Sequence, residues 1–338
     1  MNSKELVRIA VDAMGGDHAP SEPVKGAVDA LKESDRVFIY LTGKAEQINT
    51  ELAKYDYPKD RLEVINCTEV IETGEPPVKA IKTKKDSSLI KGLWMVRDGR
   101  ADAFVSSGST GAVLAGGQVI VRKIKGIQRA PLAPMIPTAK TPALLIDCGA
   151  NVDAKSSHLV QFAHMGSIYM QSVIGVKNPR VGLVNIGAEE EKGNELAKET
   201  YQLLKDEPGI NFVGNVEARD IPYGKADVYV TEAFTGNVIL KLYEGVGGVL
   251  ISKVKEGLMS TIRSKIGGIL IKPALKRTLK EFDSSEYGGA PLLGLRGLVV
   301  KTHGSAKAKE IRNTILQSVQ FKDQDINGRI REYLDAQE

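Results

Sequence analysis

The chain has 338 residues, 46 lysines and arginines against 42 aspartates and glutamates, and a formal net charge of +4. About 42% is hydrophobic and 5% aromatic, with 34 glycines, which excludes a disordered or collagen-like chain and leaves room for one large α/β unit or two smaller ones. Two cysteines, Cys67 and Cys148, and four histidines, with no CxxC pair, exclude a disulfide framework and structural zinc.

Short runs rich in Val, Ile and Leu predict strands at Arg8–Val11, Val37–Leu41, Leu62–Ile65, Ala103–Val105, Ala143–Ile146, Val181–Val184, Asn211–Val213, Val228–Val230 and Leu298–Val300. Near-continuous apolar runs of this kind suit strands buried on both faces of a largely parallel sheet. Between them the spacing predicts helices at Pro20–Glu33, Ser87–Arg97, Gly111–Arg122, His158–Gln171, Glu190–Lys205 and Ala306–Gln317. The β-then-α rhythm specifies a layered α/β/α fold with a largely parallel mixed sheet. With no repeat or linker, residues 1–334 read as one unit. The first residues lack the apolar run of a secretory leader, and no segment reaches the roughly 18 apolar residues of a membrane span, so a cytoplasmic location is expected.

Glycines cluster just after the strands, at Gly15-Gly16, Gly108 and Gly111, Gly149, Gly187, Gly236 and Gly304, beside Ser, Thr, Asn and Asp. Ligands of open α/β sheets bind at these carboxyl ends, and glycine lets the backbone approach them. The run Val105-Ser-Ser-Gly-Ser-Thr-Gly-Ala reads as strand, turn and helix start. Amides of the first helical turn and hydroxyls of Ser107, Ser109 and Thr110 make a phosphate cradle together with Gly108 and Gly111, with neither a P-loop nor a GxGxxG pattern. Lys192 falls in the predicted first turn of the Glu190–Lys205 helix, where a cation is unfavourable, so it is a candidate partner for an anion, with Asn194 beside it. His158 and His164 sit in a helical pattern as packing residues, whereas His18 and His303 lie on glycine-rich loops. No metal site is expected: Asp12, Asp17 and His18 make a poor set of ligands.

Residues 249–280 differ in composition. They carry a net charge of +7 and leave −3 for the rest of the chain. Ile251, Val254, Leu258, Ile262, Ile266 and Ile269 recur at helical spacing among Lys253, Lys255, Arg263, Lys265 and Lys272. Gly267-Gly268 and Pro273 predict two helices joined by a bend, an excursion spanning about 245–282. Such a basic amphipathic pair suits an anionic membrane surface or an acidic protein.

The run Ile9-Ala-Val-Asp-Ala-Met-Gly-Gly-Asp-His-Ala-Pro20 closely resembles the signature of the PlsX-type phosphate acyltransferases of bacterial phospholipid synthesis. Further matches follow in the family's order at Ser107–Ala112, Asp147–Lys155, Gly193–Glu195, Gly214–Arg219, Phe234–Asn237, Tyr287–Ala290 and His303–Ser305. Ser109 and Ala233 depart from the Asn and Gly that many members carry. The resemblance implies a fold like that of the phosphotransacetylases and isocitrate-type dehydrogenases. It implies attack of inorganic phosphate on the thioester of a long-chain acyl-[acyl carrier protein], without a cofactor. It also implies a homodimer held peripherally on the inner face of the cell membrane, handing acyl phosphate to a glycerol-3-phosphate acyltransferase. Nucleic acid is not an expected partner. On that chemistry Ser107 to Gly111 hold phosphate, Lys192 and Asn194 neutralise or orient it, and Asp12, Asn151, Asp153, Lys155 and Asn237 line the cleft. His18 and His303 orient the thioester or protonate the sulfur. Lys253, Lys255, Leu258, Ile262, Arg263, Lys265, Ile266 and Lys272 meet the membrane or the carrier protein. The competing readings are a nicotinamide-dependent dehydrogenase on a related sheet and a non-catalytic scaffold that binds acyl carrier protein.

Overall fold

The computed structural model describes residues 5–281 and 284–336, so residues 1–4 and residue 282, the expected end of the helical excursion, lie outside the described residues. The first half of the chain runs β1 (Val7–Asp12), α1 (Ser21–Glu33), β2 (Val37–Gly43), α2 (Ala45–Leu52), β3 (Leu62–Asn66), α3 (Pro77–Thr83), α4 (Ser88–Arg97), β4 (Ala103–Ser106) and α5 (Thr110–Gly116). The middle runs β5 (Met135–Ile136), β6 (Ala143–Ile146), α6 (Ser156–Tyr169), β7 (Arg180–Asn185), α7 (Glu195–Lys205), β8 (Asn211–Glu217) and β9 (Val228–Val230). The remainder runs α8 (Ala233–Met259), α9 (Ile262–Glu281), β10 (Ala290–Pro291), β11 (Leu298–Lys301), α10 (Ala308–Asp323) and α11 (Ile326–Asp335).

The nine predicted strands form, but in two sheets rather than one. The first has the order β10-β11-β4-β1-β2-β3 and the second β5-β6-β9-β7-β8. All pairs are parallel except β10 with β11 and β5 with β6. Those two antiparallel strands have two residues each, too short to show any period in sequence. One apolar cluster joins the sheets: Ile9, Val105 and Val300 of the first share it with Leu144, Val181 and Val228 of the second, and with Phe162 of α6 and Phe321 of α10. Parallel strands buried this way need helical cover on both faces, which explains the Val/Ile/Leu runs.

The topology places the site. From β1 the chain winds outward through β2 to β3, then returns to lay β4 on the other side of β1. That reversal between β1 and β4 is a topological switch point, where the loops leaving two neighbouring strands diverge and open a crevice.

Helix α10 runs six residues beyond the expected Gln317, to Asp323, and two further helix boundaries differ from the sequence reading. The Glu190–Lys205 segment becomes helical only at Glu195, because Asn194 caps it, its Oδ1 accepting from Ala197 N at 2.9 Å. The basic excursion bends at Ser260-Thr261, not at Gly267-Gly268 or Pro273, which both lie inside α9. Ser264 Oγ accepts there from Thr261 N at 2.9 Å, and Thr261 Oγ1 from Ser264 N at 3.1 Å, a local hydroxyl cap that restarts the helix.

Candidate active site

Three adjacent strands of the first sheet end at one level. Val11 pairs with Val105, Val105 with Val300, and Ser106 with Lys301, so Asp12, Ser106 and Lys301 stand side by side at the carboxyl ends of β1, β4 and β11. All three are buried. Ser106 Oγ donates to Asp12 Oδ2 at 2.8 Å, Met14 N donates to Asp12 Oδ1 at 3.2 Å, and Gly108 N donates to Ser106 Oγ at 3.0 Å. The Asp12 carboxylate thus ties the β1 and β4 loops together from beneath. Burial raises its pKa, and the hydrogen bonds from Ser88 and Ser106 oppose that rise. Asp12 is therefore a strut under the cleft rather than part of its lining.

The third loop closes on the other two. Asp17 N donates to Gly304 O at 2.8 Å, and the Ser107 and Thr302 hydroxyls are 2.6 Å apart. A Cβ on Gly16, whose φ is +93°, would meet Gly304 O and Ser107 Cβ at 2.8 Å, so this junction requires glycine. His18 is half-buried in the same loop, its carbonyl accepting from Ser21 Oγ at 3.0 Å.

Above these loops lies a cleft of about 410 Å³ between the first sheet and the start of α8. Its polar lining includes Thr110, Asn237, Lys241, Glu244, Lys301 and His303. Cys148 also lines it, as a buried free thiol whose pKa burial raises. Lys301 is 6% exposed, and its ammonium donates to the carbonyl of Thr302. Burial lowers its pKa to about 8, despite the nearby Glu310 and Asp12 carboxylates. Lys241 Nζ lies 3.1 Å from His303 Nε2 and 2.8 Å from Glu244 Oε2, while His303 Nδ1 is 2.7 Å from Ser305 Oγ. Burial, and Lys241 next, hold the His303 pKa below its ordinary value. The result is a cleft with two lysines, an imidazole, several hydroxyls and the carboxylates of Glu244 and Glu310, with Glu244 paired to Lys241 and the remaining donors suited to a small oxyanion.

Of the predicted cradle, Thr110 lines the cleft with an exposed side chain. Ser107, Gly108 and Ser109 are buried behind it. Ser109 caps α5, its Oγ accepting from Ala112 N at 3.4 Å, so this hydroxyl is turned into the helix. Gly111 packs closely on Pro77, where a Cβ would meet Cγ at 2.5 Å. The first turn of α5 still leaves amides without intrahelical acceptors, as every helix does.

Several other candidates stand elsewhere. Asn194 borders a second cavity of about 430 Å³ at the ends of β7 and β9, on Leu183, Ile186, Thr235 and Ile239. Lys192 is exposed in the turn before α7, its carbonyl accepting from Asn185 Nδ2 at 3.0 Å. The helix starts five residues later than expected, beyond Lys192, which removes the electrostatic argument for that residue. Asn151 is buried and donates to Asp147 Oδ2 at 2.7 Å and to Ala130 O at 3.0 Å, so it braces its loop instead of lining the cleft. Asp147 also accepts from the amides of Leu132, Ala150 and Asn151, and burial still pushes its pKa up to about 6. Asp153 and Lys155 are exposed on the approach to α6, outside the cleft lining. His158 and His164 are buried packing residues: His158 Nδ1 accepts from Lys155 N at 3.0 Å, and His164 stacks on Tyr333.

Sequence reasoning missed Lys301, Lys241 and Glu244. Lys301 had a signal, a cation closing the otherwise apolar strand Leu298-Val-Val, immediately before a Thr-His-Gly-Ser loop. Lys241 and Glu244 are one turn apart on α8 and reach the cleft because that helix starts at its edge.

On the helical pair, Leu258 is not at the outer surface. It is half-buried, and a Cβ on Gly268 would lie 3.5 Å from its Cβ, so it holds α8 to α9. Ile262, Ile269 and Leu270 are 78%, 71% and 76% exposed. Runs such as Val249-Leu250-Ile251 and Ile269-Leu270-Ile271 turn apolar side chains over more than half of each helix circumference, broader than the single stripe expected. No helix among the described residues is long and apolar enough to cross a membrane.

A hydroxyl-rich cleft with two lysines at the switch point of a largely parallel α/β fold is the kind of site used by enzymes that handle a small anion. Residues 7–329 match the family described as "Fatty acid synthesis protein", and the chain belongs to that family. It is 52% identical over 326 residues to the phosphate acyltransferase of Clostridium botulinum, covering 96% of this chain and 97% of the other. The phosphate acyltransferase of Clostridium novyi is 48% identical over 329 residues, covering 97% and 99%. Among solved structures, the EutD phosphotransacetylase from Staphylococcus aureus superposes with a TM-score of 0.61 over 93% of this chain and 94% of the other, at 16% identity, a likeness of fold.

Proposed function

We infer that this chain is a phosphate acyltransferase that moves a long-chain acyl group from acyl carrier protein to inorganic phosphate. The observation that carries the reading is the cleft beneath α8, where the buried Lys301 stands beside Lys241, His303 and Thr110. Full-length kinship to relatives named phosphate acyltransferase supports it. Phosphate supplies its own nucleophilic oxygen, so no serine nucleophile is needed. A C–O bond forms to the acyl carbon, the C–S bond breaks, and the proton carried by phosphate ends on the departing sulfur. A thiol with a pKa near about 8.5 leaves readily. The protein's share is positioning, worth roughly 7–11 kcal/mol at best, and donors for the oxyanion, roughly 3–4 kcal/mol each. Lys301 holds phosphate with Thr110, and Lys241 and His303 face the thioester.

The test is incubation with hexadecanoyl-[acyl carrier protein] and phosphate, trapping product with hydroxylamine. Acyl hydroxamate that depends on phosphate is expected. Release of free fatty acid alone, or no turnover, overturns the reading, and a nicotinamide-dependent signal would restore the dehydrogenase alternative.

The working location we propose is the cytoplasmic face of the membrane, reached peripherally through α8 and α9. Their exposed isoleucines and leucines and the +7 charge of residues 249–280 support it. The same charge suits acidic acyl carrier protein. We further propose a homodimer, with the acyl phosphate passed to a glycerol-3-phosphate acyltransferase.

A further inference from the structure

A third cavity, of about 350 Å³, opens beside the cleft. Met135 of β5 lines both, and Tyr287 of the cavity directly precedes Gly288 and Gly289 of the cleft. Helix α10 also runs from one to the other. Glu310 lines the cleft, and Asn313, Leu316, Gln317 and Gln320 line the cavity, a spacing that keeps these residues along one side of the helix. The opposite wall is Tyr169, Val173 and Ile174, at the end of α6 and in the π-turn after it. Apolar side chains thus predominate on that wall, while Gln317 Nε2 lies 3.4 Å from Tyr169 Oη, Gln320 Nε2 donates to Val173 O at 2.8 Å, and Gln317 Oε1 has no hydrogen-bond partner among the described residues.

We propose that this cavity receives the hydrocarbon chain of the acyl donor, with Met135 at the junction where the chain leaves the reacting carbon. The inference rests on the transferase reading and adds the residues that set chain-length preference. Its size is within the roughly 300–1,000 Å³ of small-molecule sites. A chain lying along α10 keeps its thioester end beside Glu310 and Lys301 and its methyl end against Leu316 and Ile174. Gly288 and Gly289 bring the segment between cleft and cavity tight against β11 and α10: a Cβ at 289 would meet Lys301 O and Val300 Cγ1 at 2.8 Å, and one at 288 the Gln317 amide oxygen at 2.5 Å. Each methylene buried there is worth about fourfold in kcat/KM.

The experiment compares hexadecanoyl- with octanoyl-[acyl carrier protein] in the wild-type chain, Ile174→Trp and Leu316→Trp. Both variants fill the far end of the cavity, and Ile174 sits at its partly exposed rim, where a larger side chain is tolerated. The expected result is a fall of roughly tenfold or more in kcat/KM for the hexadecanoyl donor, the equivalent of about two methylenes left in water, with the octanoyl donor changed less than about twofold. Equal effects on both donors, or none on either, overturn the proposal. Displacement of a fluorescent sixteen-carbon fatty acid, measured on the same proteins with melting curves, reads the cavity without turnover. Loss of that binding in the folded variants supports the cavity even where the wild-type chain yields no acyl phosphate, an outcome that sinks the transferase reading alone. Binding that is unchanged in both variants overturns the cavity assignment.

Discussion

Lys301 combines two opposed demands. Its charge is what an anion site needs, and its burial penalises that charge, drawing the pKa down to about 8. The ordinary value of 10.5 applies in the unfolded chain, so below about pH 8 both states are protonated and folding bears the full desolvation cost. Between about 8 and 10.5 the unfolded chain binds the extra proton, and stability rises with pH from this group. Lys301→Met is therefore expected to melt higher than the wild-type chain at pH 7 and to lose the rise contributed by this group above pH 8. The same variant is expected to lose about 10²–10³-fold in turnover at fixed phosphate, the usual cost of a lost oxyanion partner. Wild-type turnover is expected to fall as pH rises through about 8, where the ammonium releases its proton. A variant that retains wild-type phosphate dependence and pH profile removes Lys301 from the site. The residues legible in sequence were those on glycine loops, Thr110, Asn237 and His303. The buried lysine was concealed because its strand reads as core until its last position.

At the scale of elements, α8 owes its place to one close approach. A Cβ on Gly236 would run into the carbonyl of Asp147, so glycine there seats the first turn of α8 on the β6 loop. That loop is itself pinned by the four donors to the Asp147 carboxylate. Gly236→Ala is expected to push α8 away from the second sheet and move Asn237 and Lys241, which line the cleft one and five residues later. The prediction is a loss of roughly 2 kcal/mol or more in stability, with turnover falling further than the fraction unfolded explains. Urea unfolding beside steady-state rates measures both, and an unchanged rate would show that α8 does not set the geometry of the cleft. The predicted strands were legible because buried parallel strands need uninterrupted apolar runs. The division into two sheets was not, because β5 and β10 are too short to show a period and pairing order leaves no local trace. Lys192 is a candidate only on a helix start at Glu190; the start at Glu195, set by the Asn194 cap, leaves it in the preceding turn.

The whole molecule separates its charge from its chemistry. Residues 249–280 carry +7 and the remainder −3, yet the lysines that line the cleft, Lys241 and Lys301, lie outside that segment. Flotation with anionic vesicles tests what the segment is for. Ile262→Glu with Ile269→Glu, both on exposed positions of α9, is expected to abolish binding at physiological salt while leaving turnover of soluble donor within about twofold. Leu258 is unsuitable for that test because it braces the two helices against each other. Vesicle binding that survives the double change would mean that this face of α9 is not the membrane contact. Helix α8 is one uninterrupted rod. From Lys241, in the cleft, to Met259, at the bend, it extends about 27 Å at 1.5 Å per residue. Lys241 lies five residues beyond the close seat at Gly236, about 7.5 Å along the same rod and on the same side of that seat as Met259. The helix is continuous from seat to tip, so a pull on its far end would reach Lys241, and the grip on the tip and the placement of that lysine in the cleft are properties of one body.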